Sequence, residues 1–374
     1  MFFYYQFGIV DFAFAAGLGS LIIIQLMYYI IVYGKIAFYK GNKKENKDIL
    51  SVSVVLCVKD EAYNLEKHLP IILEQEYPNF EVVVVNDAST DETEYILKLL
   101  QEIYPNLSVV HLYENINKYL GKKYPLSLGI KSARNEIILL TDADTIPLGY
   151  NWISEMVKSF FDKKQIVLGF SRHQIKKGFL NSLIHYDSQV TAMNYLGLAL
   201  IGKPYMGTGK NLAYSRKMFF KEGGFISQYN ISVGDDDLFI NKVATKQNTS
   251  VSINEKSINI SSPKETFSEW ILKKKKQYIS RRYFQLKDKL TTLILPLTTL
   301  FLYTLAIISL IFGFPWEYVV LGLIIKFTIQ IIYYYRSSKT LGTKKIAIFA
   351  PLFEILFLFL NTIIQINTLM TKKR

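Results

Sequence analysis

The chain has one cysteine, Cys57, so no internal disulfide can form. Cys57 lies in the apolar run "SVSVVLCV" and reads as a packed core residue rather than a nucleophile. Neither a Walker A loop nor a G-x-G-x-x-G fingerprint occurs, so neither the mononucleotide nor the dinucleotide signature applies. No nucleic-acid motif is present either, although the net charge is +13. The basic residues sit beside apolar segments, which fits membrane-flanking charge rather than a nucleic-acid footprint. Charge is absent from Phe12 to Tyr33, "FAFAAGLGSLIIIQLMYYIIVY". That run can cross a hydrocarbon core, which takes about 20 residues. It lacks the basic start and small-residue cleavage site of a signal peptide, so a retained helix is expected.

What is present follows from there. Half of the 374 residues are hydrophobic. Lys35, Lys40, Lys43, Lys44 and Lys47 follow the first apolar run and nothing basic precedes it. That asymmetry puts the N-terminus outside and the next region in the cytoplasm. Thr292–Phe312, Tyr318–Tyr335 and Ile346–Ile366 are three further candidate spans. The basic stretches "KKKKQYISRRYFQLKDK" and "RSSKTLGTKK" agree with a cytoplasmic middle region. The terminal "TKKR" does not, and is expected to be an exception to the charge rule rather than a sign that the last segment fails to cross. Lys326 and Glu354 interrupt the last two spans, each about 13 Å in from the cytoplasmic side at the helical rise. Charges there are costly. Opposite signs at equal depth predict an ion pair between neighbouring helices, the alternative being a snorkelling Lys326. The expected division is a membrane helix (1–34), a basic linker (35–48), a cytoplasmic α/β domain (49–262), a basic amphipathic interface segment (263–290) and C-terminal membrane helices (291–374).

Within the α/β region, "SVSVVLCV", "EVVVVND", "LSVVHLY" and "EIILLTDAD" read as strands, with "NLEKHLPIILEQ" and "TDETEYILKLLQEIY" as helices between them. Strands of this kind are buried on both faces, so a βαβ-wound parallel sheet is expected. Ligands then bind beyond the carboxyl ends of the strands. Lys59, Asp60 and Glu61 stand at one such end, before a helix from about Asn64, with a solvated turn capped by Asn64 as the plainer reading. Asp87 ends the second strand, where a carboxylate can hold a nucleobase or ribose or can merely cap. Gly121, Lys122 and Lys123 combine backbone freedom with charges suited to phosphate. In "LLTDADTIP", Asp142 and Asp144 point to the same side of an extended chain. They repel unless a cation sits with them, and Mg2+ or Mn2+ takes such oxygens while leaving positions for phosphates. Asp235, Asp236 and Asp237 exceed what one helix N-terminus needs.

In this order, "SVVLCVKDEAYNL", "VVVVNDASTDET", "GKKYPLSLGI…LLTDADTIP", "MGTGKNLAYSRKMF" and "GDDDLFI" resemble the membrane-associated family 2 glycosyltransferases, over roughly residues 50–290. The resemblance implies a GT-A, Rossmann-like nucleotide-sugar domain in a layout similar to ceramide glucosyltransferase, with one helix before and about three after. It makes Asp87 the nucleotide-holding aspartate, and Asp142 and Asp144 the D-x-D metal motif for Mg2+ or Mn2+. It makes Asp236 the general base, with Asp235 as runner-up. Relatives carry Q-x-x-R-W or R-x-x-R-W before the last membrane helices. The nearest placements here are Lys273-x-x-Lys276-Gln277, or Gln277 with Arg281 and Arg282, all without the tryptophan. The diphosphate cation survives in kind, and Tyr278 or Tyr283 would have to replace the aromatic. "GTGKNLAYSRK" fits a close backbone approach to sugar or acceptor. The preceding helix, with His185, Asp187 and Asn194, is either interfacial, near the acceptor entrance, or ordinary core.

The expected chemistry is inverting, metal-dependent transfer from a UDP-sugar to a lipid or lipid-linked acceptor at the cytoplasmic face of a bacterial inner membrane. A processive polysaccharide synthase and a degenerate, non-catalytic binding protein are the alternatives. A nucleotidyltransferase would need a Gly-rich, Arg-containing loop after the first strand, which "VKDEAYNL" lacks.

Overall fold

The computed structural model describes residues 8–42, 44–113 and 121–370. Lys43 and the terminal "TKKR" therefore lie outside the described residues. Helix α1 (Ile9–Tyr28) runs through a π-helical turn (Tyr29–Tyr33) into α2 (Gly34–Ala37) as one apolar rod. The α/β region opens with β1 (Val52–Val58), α3 (Ala62–Leu73), β2 (Phe80–Asp87), α4 (Thr93–Ile103), β3 (Leu107–Leu112), α5 (Lys123–Ser132) and β4 (Ile137–Leu140). It continues with β5 (Thr145–Pro147), α6 (Trp152–Val157), β6 (Ile166–Leu168), β7 (Ser171–His173), α7 (Phe179–Leu200), β8 (Leu212–Ser215) and α8 (Arg216–Lys221). Then come α9 (Asp235–Val243), β9 (Thr249–Val251), β10 (Asn259–Ser261) and α10 (Phe267–Arg281). Three long apolar helices follow: α11 (Leu286–Ile311), α12 (Trp316–Leu341) and α13 (Ala350–Met370).

The main sheet has the order β3-β2-β1-β4-β8-β6-β9, and a small sheet has the order β5-β10-β7. The first four strands of the main sheet are parallel, and β8 runs antiparallel to β4 and β6. Alternation along β1 explains why the valine runs need no polar face. Val55 packs with Leu126 and Ile130 of α5, while Val54 and Leu56 pack with Leu65 and Leu69 of α3. Gly129 makes α5's approach possible, because a Cβ there would lie 2.7 Å from Val85 and 2.8 Å from Val55.

Two local expectations change. Helix α3 starts at Ala62, with Glu61 rather than Asn64 at its N-cap position; Asn64 instead donates to Glu61 Oε2 at 2.5 Å. Strand β4 ends at Leu140, so the D-x-D lies beyond the strand in a turn closed by Thr145 N–H donating to the Asp142 carbonyl at 3.1 Å.

Among the described residues four helical segments are long and apolar enough to cross a membrane: Ile9–Ala37, Leu286–Ile311, Trp316–Leu341 and Ala347–Met370. Each extends the corresponding sequence expectation at one end or both. Helix α7 lies between them and the sheet. Gln189 donates to the Tyr334 carbonyl at 2.8 Å and accepts from Thr343 at 2.8 Å, and Tyr186 stacks on Tyr334. Helix α7 is thus shared by both layers.

Lys326 is fully buried and pairs with Glu354, so it does not snorkel. Tyr303 and Gln330 also donate to the Glu354 carboxylate, at 2.7 and 2.9 Å, and Tyr29 does so at 3.3 Å. One carboxylate thus ties all four spans. Breaking a buried pair on one side leaves an uncompensated charge, at a cost of about 3–5 kcal/mol. Lys326→Leu is therefore expected to lower the thermal midpoint in detergent sharply, and Lys326→Leu/Glu354→Leu to recover most of the loss. Additive losses would show that the pair is not the coupled unit.

Candidate active site

The carboxyl ends of β1, β2 and β4 lie side by side, and the loops leaving them carry the acids. Asp60, in a left-handed conformation at φ 53°, accepts from the Thr90 amide at 2.7 Å, and its own amide donates to Ser89 Oγ at 3.0 Å. Asp91 accepts from Thr93 N–H at 3.0 Å and from Ala62 N–H at 3.1 Å, so it holds the first turns of both α3 and α4. Capping is therefore done by Asp91. The Asp87 carboxylate accepts no hydrogen bond among the described residues. Lys59 is exposed and has no partner there either. Asp60 and Glu61 shape the loop rather than standing free.

The D-x-D turn is fixed from several sides. His68 contacts the Ala143 carbonyl at 2.7 Å, Thr145 Oγ1 donates to Asp144 at 2.9 Å, and Ser262 N–H donates to the Asp144 carbonyl at 3.1 Å. Both carboxylates meet lysine. Lys122 Nζ lies 3.2 Å from Asp142, and Lys210 Nζ lies 2.5 Å from Asp144 and 3.8 Å from Asp142. Burial acts to raise the Asp142 pKa, but Lys122 and Lys210 outweigh it and pull it down to about 2. The two acids converge as the sequence implies, through a turn rather than through strand alternation.

Lys123 departs from its expected phosphate role. Its ammonium is buried and donates to the carbonyls of Ile231 at 2.5 Å and Val233 at 2.7 Å. The same contact zone requires Gly121 at φ 94°, where a Cβ would lie 2.6 Å from the Ser232 carbonyl. Lys123 therefore positions the start of α9, which carries Asp235, Asp236 and Asp237 in its first turn.

These acids face different neighbours. Burial pushes the Cys57 thiol up to about 12; Lys122 opposes the shift, while Asp87, Asp142 and Asp235 add to it. Those groups therefore surround the end of β1, and Cys57 itself is core. The Gly209 amide donates to Asp236, whose Oδ1 is buried without a partner among the described residues. Burial raises the Asp236 pKa well above the carboxylate range, and Asp235, Asp237 and Asp142 raise it further. Asp237 leans toward α10, with Ser280 Oγ 3.5 Å away. Burial and Asp235 push its pKa up to about 7 against Arg281, Ser280 and Lys123.

On α10, Lys273, Gln277 and Arg281 recur every four residues and share one face. Burial and Lys210 lower the Lys273 pKa to about 8 against Asp187 and Asp144. The face thus runs from the D-x-D turn at Lys273 to Asp237 at Arg281. It takes Lys273 from one sequence placement and Gln277 with Arg281 from the other. Lys276 is exposed and points away from this face. Arg282 is placed by its carbonyl, which accepts from Lys289 at 2.5 Å. Lys210 as a carboxylate partner is what the sequence did not mark, because its contact with Asp144 spans 66 residues. Beside Arg281 a cavity of about 170 Å³ opens between α7, α10, α11 and α13. Asp187 and Lys274, paired at 2.6 Å, line it with Asn194, and Leu295, Pro296 and Phe357 supply apolar walls.

Asp237 gives a pH test. Its folded pKa lies above the unfolded value, so the folded state binds the extra proton. Stability is then lost as pH rises from about 4 to 7, by up to about 4 kcal/mol. Asp237→Asn is expected to flatten that slope in denaturation curves taken across this window. An unchanged slope would assign it to other groups.

Residues 53–224 match the family described as Glycosyl transferase family 2. The α9 acids lie beyond that match. A poly-β-1,6-N-acetyl-D-glucosamine synthase from Staphylococcus epidermidis is 30% identical over 104 residues, 28% of this chain and 24% of the synthase. A dolichyl-phosphate β-glucosyltransferase from Trichomonas vaginalis is 34% identical over 126 residues, 29% of this chain and 37% of that enzyme. The matched segments thus span well under half the length of these relatives. A mannosyltransferase from Pyrobaculum calidifontis, solved with GDP-Man and Mn2+, superposes with a TM-score of 0.60 at 19% identity, covering 93% of this chain and 98% of its own. Its likeness extends over sheet and apolar helices alike. The likeness to glycosyl transferase family 2 thus spans residues 53–224, just under half of the chain, and the chain has the GT-A fold.

Proposed function

We propose that this protein transfers a sugar, with inversion, from a UDP-linked donor to a lipid or lipid-linked acceptor at the cytoplasmic face of a bacterial inner membrane. The reading treats residues 49–262 as the catalytic unit. The observation that carries it is the convergence of Asp87, Asp142, Asp235 and Asp236 with Lys122 and Lys210, next to a half-apolar cavity reaching the membrane helices. Asp87, free of capping duty, suits the nucleoside. Lys122, Lys210 and Lys273 suit the diphosphate as point charges.

Asp142 and Asp144 offer hard oxygens of the kind Mg2+ or Mn2+ takes. Among the described residues no third His, Cys, Asp or Glu joins them, so water and the donor phosphates would complete the shell. A bound cation would supply charge neutralisation for the departing diphosphate. The chain's own groups do the rest. Asp236 takes the proton of the attacking acceptor hydroxyl. The Gly209 amide fixes its orientation, and its Oδ1 has no partner among the described residues and so is free to receive that proton. Direct displacement at the anomeric carbon gives inversion. The cavity beside Arg281 suits an acceptor whose head is polar and whose remainder lies among α11 and α13. Three C-terminal spans are few for a polysaccharide channel, which favours a lipid acceptor over chain export.

Purified protein with Mn2+ and a UDP-sugar is expected to release UDP, and Asp236→Asn to lower that rate about 10²–10⁴-fold. Retained turnover would move the base to Asp235. Absence of turnover with every common nucleotide sugar would favour a binding protein. Asp142→Ala and Asp144→Ala are each expected to abolish the Mn2+-dependent part of UDP binding in calorimetry. Unchanged affinity in both would overturn the metal reading. Mass spectrometry of membrane lipids from an expressing host identifies the acceptor.

A further inference from the structure

A second cleft lies on the membrane-facing side of the α/β region, apart from the acids. It holds about 390 Å³ between the loop after α7, the loop after α9 and the first turns of α11. Lys203, Lys246 and Lys287, one from each element, line it. None of the three has an acidic partner among the described residues. The one acid in the wall, Asp288, is buried and accepts from Asn241 Nδ2 at 2.8 Å.

The cleft is built rather than incidental. Buried Asn241 bolts two of its walls together. Its side-chain amide also donates to the Tyr205 carbonyl at 2.9 Å, and its Oδ1 accepts from Gln285 N–H at 2.8 Å. The third wall is locked by Asn248, which accepts from Thr245 N–H at 2.8 Å and donates to the Val243 carbonyl at 2.9 Å. Lys246 packs its stem over Gly202, which has φ 86° and where a Cβ would lie 2.7 Å from Lys246 Cδ. Three exposed lysines thus meet at one cleft whose backbone walls are fixed by buried amide contacts, with the Lys246 stem packed over Gly202.

Its position says what anion belongs there. Lys287 and Thr291 face the cleft from the first turns of a membrane span. On the neighbouring face of the same turns Leu286, Leu290 and Leu293 are 71%, 58% and 45% exposed, an apolar surface suited to acyl chains. Lysine stems reaching along apolar surface to a phosphate layer are a common arrangement at membrane interfaces.

We propose that this cleft binds the phosphate of an anionic phospholipid and so seats the catalytic region on the bilayer. The test is native mass spectrometry of the full-length protein in detergent with added phosphatidylglycerol or phosphatidylcholine, and no sugar donor. The wild type is expected to retain phosphatidylglycerol over phosphatidylcholine. Lys203→Gln/Lys246→Gln/Lys287→Gln should lower that retention about tenfold or more, each lysine near a surface being worth several-fold. Lys98→Gln/Lys131→Gln/Lys217→Gln, with the same charge change at exposed sites elsewhere, should retain it. Equal retention by the cleft variant, equal loss by the control, or no preference over phosphatidylcholine would overturn the proposal. So would displacement by millimolar inorganic phosphate, which would mark a site for soluble phosphate.

Discussion

The structure depends on holding like charges together. Asp87, Asp142, Asp144 and the three acids of α9 converge on one end of a sheet, where mutual repulsion would drive the loops apart. Lysines prevent this in two different ways. Lys122 and Lys210 neutralise the D-x-D carboxylates directly, at 3.2 and 2.5 Å. Lys123 touches no carboxylate and instead grips the two carbonyls that lead into α9. Adjacent residues of one sequence thus divide electrostatic and mechanical tasks, and a charge swap at either would be felt differently.

The sheet and the membrane helices are joined by polar contacts buried in apolar surroundings. Gln189 bridges α7 to α12 and to Thr343, and Arg172 donates to the Gly342 carbonyl at 2.6 Å. Such bonds add little net energy when satisfied but cost the full desolvation penalty when broken, so they fix orientation more than they stabilise.

Much of this was legible in the sequence because it is local or periodic. Valine runs marked the strands, long apolar runs marked the apolar helices, and two charges at matched depth marked the Lys326–Glu354 pair. Strand alternation was expected to bring Asp142 and Asp144 together, and a turn does so instead. What stayed hidden depends on distant contacts. No local pattern separates Lys123, committed to a loop 108 residues away, from Lys122 beside it. On α10 the four consecutive lysines could not be told apart until helical phase turned Lys273 inward and Lys276 out.

Helix α9 has a consequence beyond its acids. Asp235 to Asp237 form its first turn, and Asn241, about 9 Å further along at the helical rise, is latched to Gln285 and Asp288 where α11 begins. Nothing flexible separates the two ends. The acids of α9 and the start of α11 are therefore joined through one latch, so a tilt of α11 is carried directly to the helix whose first turn holds the carboxylates.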